Sequence, residues 1–185
     1  MKFISLPIQF EGKVYKFNPY LGLLLEFEKH KQNGDVNQPE KIILALSYCN
    51  NPYSLIQKEF IVGENKSIFQ QKLLIVYLEF LIKMFKLNFC MGRWTSVFVK
   101  HSFEDAGQAI NFFRNNKQGK IQNDLCLSRC FFASRTSKKF KEKGVIFIGV
   151  SLPSKSMHAW IIENGRQPDP LDNMWINFQP VAAIC

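Results

Sequence analysis

The chain lacks a regular cysteine pattern, an N-terminal export segment and an apolar run of membrane length. Its five cysteines stand at 49, 90, 126, 130 and 185. An odd count with irregular spacing argues against a disulfide framework, and no C-x-x-C pair is present for structural zinc. Gln9 and Glu11 interrupt the apolar character of the first residues, so they do not read as a secretory signal. The expectation is a cytoplasmic protein with reduced thiols. The most apolar stretch, Ser67 to Phe89, is broken by Lys72, Glu79, Lys83 and Lys86, leaving Leu73–Leu78 as its longest run. That is far short of the ~20 residues of a spanning helix, and membrane contact is not expected. Acidic residues are scarce: 15 Asp and Glu stand against 24 Lys and Arg, a net charge of +9. Such a balance suits nucleic acid, an anionic surface or an acidic peptide. No nucleic-acid-binding motif accompanies it, so nucleic acid is not an expected partner. The densest basic run, Lys138, Lys139, Lys141 and Lys143, reads first as a solvated helix face and second as a binding patch.

What the chain does have is core-forming material. With 185 residues it can build one domain or two small ones, and 18 Phe can fill much of a core. Residues 2–17 alternate loosely and turn at Glu11-Gly12, as a β-hairpin does. Asn18-Pro19 suggests a cap and first residue of a helix reaching about Lys31, and Pro39 to Tyr48 a second. A turn is expected at Asn51-Pro52. Ser67 to Phe89 reads as a central helix, Thr95 to Lys100 as a strand and Glu104 to Asn115 as a helix. The polar stretch Arg114 to Lys120 is a connector. Asn123 or Asp124 would cap a further helix running to about Lys143 and ending at Gly144. Val145 to Val150 is a buried strand by its continuous apolar character. Met157 to Glu163 is a second strand, followed by the turn signal Asn164-Gly165.

Chemistry concentrates in this last module. In the first turn of its helix, Cys126 would meet unpaired backbone N–H groups and the positive end of the helix dipole, both favouring a thiolate. The same N–H groups can stabilise an oxyanion. Cys130, one turn deeper, reads as packing. On the strand, His158, Trp160 and Ile162 share a face, and a histidine there can reach a first-turn cysteine to form a thiolate–imidazolium pair. An acid must then orient the imidazole. Asp169 and Asp172 both follow the hairpin turn and can return to His158. His30 and His101 lack such a context.

Cys126-Leu-Ser-Arg-Cys130 opening a basic helix, then Ile148-Gly149-Val150, then His158-Ala159-Trp160, resembles the transglutaminase-like B proteins of lasso-peptide biosynthesis. The similarity covers about residues 120–184 and extends more weakly over 68–100, including Trp94. It implies an α+β fold with a papain-like or transglutaminase-like cysteine peptidase module over 67–185. It also implies a Cys-His-Asp triad that cuts the leader from a ribosomally made precursor before macrolactam ring closure. Cys126 and His158 match the family's nucleophile and base. For the acid, the gapless register falls on Pro170, and Asp169 is the nearer choice over Asp172. The implied partners are the precursor peptide and an asparagine-synthetase-like cyclase that uses ATP; this sequence shows no phosphate-binding loop, cofactor motif or metal motif of its own. Residues 1–66 would be either a winged-helix-like leader-recognition module, binding the leader as an added strand, or a structural extension. Two other functions fit the same residues: acyl transfer to an amine, and leader binding without catalysis.

Overall fold

A strand as uniformly apolar as Val145–Val150 must be covered on both faces, and the architecture follows from that need. The structure is a computed structural model and describes residues 3–18, 23–27, 68–91, 102–117, 125–152, 154, 156–172 and 174–185. In chain order its elements are β1 (Phe3–Ser5), β2 (Ile8–Phe10), β3 (Lys13–Asn18), β4 (Leu23–Phe27), α1 (Ile68–Met91), α2 (Ala106–Asn115), α3 (Cys126–Thr136) and α4 (Phe140–Lys143). Then come β5 (Gly144–Ser151), β6 (Ser156–Glu163), a 3₁₀ turn (Met174–Asn177) and β7 (Gln179–Ile184). The fold is α+β, with two antiparallel sheets ordered β1-β7-β5-β6 and β2-β3-β4.

The larger sheet carries apolar layers on both sides. Ile146, Ile148 and Val150 of β5 join Ala159 and Ile161 of β6 in a core shared with α1, α2 and α3. The alternate residues Val145, Phe147, Trp160 and Ile162 pack with Ile4, Leu6 and Trp175, as the two-residue period of a strand requires. The phenylalanines serve as expected: Phe103, Phe112 and Phe113 surround Phe132 with ring centroids 6.0, 6.0 and 5.7 Å away. Helix α1 buries Leu74, Ile75, Leu78 and Leu81, while Phe69, Leu73, Val76 and Phe80 are exposed. No helix among the described residues is long and apolar enough to cross a membrane.

Turn chemistry held where two successive residues needed positive φ. Glu11 and Gly12 have φ of 49° and 76°, Asn164 and Gly165 51° and 73°, the pattern of tight two-residue turns. The first hairpin is narrower than expected, however. Only β2 and β3 flank Glu11-Gly12; β1 pairs with β7, Phe3 opposite Ile184. The first strand therefore completes the sheet of the C-terminal module, so the expected segments 1–66 and 67–185 share it.

Two helical expectations are corrected. Within the helix expected from Pro19, Leu23–Phe27 is instead β4, paired with β3 so that Phe17 faces Leu24 and Tyr15 faces Glu26. A continuous leucine run fits either period, and the open edge of β3 decides it. The helix expected to reach Lys143 breaks at Ser137, whose backbone is extended (φ −80°, ψ 132°). Ser137 bridges to Phe103, and its hydroxyl donates to Glu163 Oε1 at 2.8 Å while accepting the Phe140 N–H at 3.1 Å. These bonds replace the helical ones. Gly144 then begins β5, and a Cβ there would lie 2.2 Å from the Phe140 ring. Buried Glu163 also accepts the Ala106 N–H at 3.0 Å, at the start of α2. Burial raises its pKa, partly opposed by the Ala106 and Ser137 donors. The expectations at 39–48, Asn51-Pro52, Trp94, Thr95–Lys100 and Asn123/Asp124, with His30 and His101, lie outside the described residues.

Candidate functional site

Three elements converge on the site: the start of α3, the edge strand β6 and the loop after β6. Cys126 is the first residue of α3, preceded by Leu125, whose side chain caps nothing. Its half-buried thiol feels His158 and the Ala159 backbone N–H, both of which hold its pKa down. Both partners come from β6, the last strand of its sheet, whose outer edge is open to the helix end.

His158 is held on several sides. Its ring lies 6.3 Å from Trp160, nearly parallel at 15°, and 5.2 Å from Phe178. Trp160 fits because Gly149, paired with His158 across β5 and β6, has no side chain. A Cβ at 149 would come within 2.6 Å of the indole. The Ile-Gly-Val and His-Ala-Trp segments thus meet in register, each shaping the other.

The structure brings Asp172, and not the expected Asp169, to His158. His158 Nε2 sits 2.9 Å from Asp172 Oδ1 and 2.8 Å from Oδ2. The expected Asp169 instead engages arginines: Arg114 Nη2 at 2.8 Å and Arg129 Nε at 3.1 Å, both on Oδ2. The reason is a turn. Asp172 N–H donates to Asp169 C=O at 3.0 Å, closing Asp169-Pro170-Leu171-Asp172 as a β-turn with proline in its favoured second position. The turn places the two carboxylates at its opposite ends, and only the second reaches the imidazole. Gln167 supports the loop, its amide oxygen accepting the Asp169 N–H and its nitrogen donating to Asp172 C=O at 3.5 Å.

Sequence reasoning missed both arginines. Arg129 lies three residues beyond Cys126, hence on the same side of α3, and is buried at 5% exposure. It also reaches Asp172 Oδ2, at 3.0 Å. Arg114 stands on α2, seven residues after Gly107, where the loop passes so closely that a Cβ would lie 3.1 Å from the Pro168 carbonyl. An arginine between a cysteine and a phenylalanine pair in a helix otherwise rich in buried residues was the available signal, since such a cation must find carboxylates.

The electrostatics favour charge separation between thiol and ring. For Cys126, burial raises the pKa, but the His158 hydrogen bond and charge, the Ala159 N–H and Arg129 together bring it below the ordinary thiol value. For His158, burial lowers the pKa, but hydrogen bonds to Asp172 and Cys126 and their charges push it up to about 9. Cys130 behaves oppositely: fully buried, its thiol is pushed well above the usual value by desolvation. Because Asp172 occupies Nε2, Nδ1 is the ring nitrogen left for the thiol. Among the described residues no group of His, Cys, Asp and Glu is arranged to hold a metal ion. The chain matches no family model, no curated protein sequence and no solved structure.

Proposed function

We propose that the chain is a cysteine peptidase that removes the leader from a lasso-peptide precursor before ring closure. The observation that carries this reading is the His158 imidazole, held at Nε2 by both Asp172 oxygens, together with the Cys126 thiol at the start of α3 whose pKa that imidazole lowers. The sequence points to Cys126 and His158, and the acid of the proposed triad is Asp172. A papain-like or transglutaminase-like arrangement is part of the same proposal, supported by a nucleophile at a helix start and a base on an adjacent strand.

The steps follow from the geometry. The Cys126 thiolate attacks the carbonyl of the last leader residue, and backbone N–H groups of the first turn of α3 stabilise the oxyanion. His158 gives its Nδ1 proton to the departing amine, leaving a thioester on Cys126. A water then loses a proton to Nδ1, attacks the thioester and releases the leader acid as the thiol is regenerated. Asp172 holds the ring and its charge throughout. The partners are the precursor peptide and an asparagine-synthetase-like cyclase, to which the ATP linkage of the reaction belongs. In this reading the strands β2 and β4, the edges of the smaller sheet among the described residues, are the places for a leader to add as a strand.

The test is mass spectrometry of precursor incubated with the full chain and cyclase. Cys126→Ala is expected to abolish leader removal while leaving leader binding intact. Normal cleavage by that variant sinks the proposal, and a product joining precursor to an amine replaces hydrolysis by acyl transfer.

A further inference from the structure

We infer that Arg129 is a positioning residue of the Cys126–His158–Asp172 site, clamping the acid from the same helix that carries the nucleophile. This rests on the thiol-peptidase reading. One oxygen carries the argument: Asp172 Oδ2 lies 2.8 Å from His158 Nε2 and 3.0 Å from Arg129 Nη2. The imidazole and the guanidinium share that acceptor, so a shift of either changes the bond to the other.

The guanidinium is fixed in its turn. Its Nε lies 3.1 Å from Asp169 Oδ2, the oxygen that also faces Arg114 Nη2 at 2.8 Å. Arg129 therefore spans the two ends of the 169–172 turn, using two edges of one planar fork. A lysine, a single point charge, lacks that fork. The side chains involved are almost fully buried, Arg129 at 6% and the two carboxylates at 4% and 3%. At such depth a cation and an anion act strongly on their neighbours.

Two consequences follow for the chemistry. Arg129 fixes the Asp172 oxygen on which the imidazole rests, so the ring keeps the orientation that faces the thiol. It also adds positive charge near the Cys126 sulfur, one of the influences that lower the thiol pKa. Asp169 acquires a role as well: it anchors Arg129 and does not orient the imidazole.

The experiment follows alkylation of Cys126 by iodoacetamide in the full chain across pH, read from the Cys126 peptide by mass spectrometry. Arg129→Gln is expected to move the thiol ionisation midpoint up by about one pH unit. Because that variant leaves an uncompensated buried negative charge, which opposes folding, Arg129→Gln/Asp169→Asn is made beside it. The pair restores the charge balance while still removing the cation beside the sulfur, and a smaller upward shift is expected. Asp169→Asn alone, which keeps the cation, is expected not to raise the midpoint. A wild-type midpoint in either Arg129 variant, or an equal rise in Asp169→Asn, overturns the inference. His158→Ala separates this failure from that of the underlying reading. If it leaves the wild-type profile unchanged, the thiol–imidazole pair itself falls, and the role of Arg129 with it.

Discussion

Asp172 approaches His158 Nε2 with both of its carboxylate oxygens, at 2.9 and 2.8 Å, across fourteen residues of chain. Between them lie the end of β6, the Asn164-Gly165 turn and the proline turn at 169–172. The second turn is what selects Asp172: its internal hydrogen bond directs Asp169 toward Arg114 and Arg129 and brings Asp172 to the ring.

That division of labour separates the two aspartates by experiment. Under the proposed peptidase function, Asp172→Asn is expected to lower precursor cleavage by roughly 10³–10⁴, because the amide stabilises neither the imidazolium nor the required tautomer. Asp169→Asn leaves His158 its acceptor and is expected to cost much less. Single-turnover cleavage rates of both variants compare them, and a larger loss at Asp169 would restore it as the acid.

Stability should depend on pH through His158. Its folded pKa, about 9, exceeds the unfolded 6.5, so the folded protein holds the proton more tightly. The resulting stabilisation is full below pH 6.5 and disappears as pH rises through about 9. Cys126 runs the other way: its contribution is present above the unfolded thiol value of 9.0 and is lost as pH falls through its lowered value. The His158 contribution is on the order of 2 kcal/mol. Urea unfolding of the wild type and His158→Gln should show a larger difference at about pH 6 than at about pH 9.5. A constant difference would mean that the ring gains no proton affinity on folding.

Gly149 offers a test that joins fold to site. Gly149→Ala places a methyl group within 2.6 Å of the Trp160 ring and 3.0 Å of the Gln179 carbonyl. Overpacking of this kind costs about 1–3 kcal/mol. The displaced indole also removes one wall of His158, so cleavage should fall beyond what the lost folded fraction explains. Denaturant midpoints and specific activity of the folded protein measure the two effects, and an unchanged midpoint would show that the sheet absorbs the methyl.

Read alone, the sequence determined what local pattern can encode. The two glycine turns, the apolar strand Val145–Val150 and the central helix follow from short-range rules, as does the placement of Cys126 on a helix and His158 on a strand. The tertiary structure decided what depends on distant partners. Leu23–Phe27 became a strand because β3 offered an edge, and α3 stopped at Ser137 because Phe103 and Glu163 took its bonds. Phe3–Ser5 joined the last strand of the chain and not its own hairpin. The aspartate that meets His158 belongs to the second group. Asp169-Pro170 signals a turn in sequence, but which of its two carboxylates meets the imidazole depends on where Arg114 and Arg129 stand on two other helices. Charges buried together choose partners by distance in space, and residue spacing carries no such information.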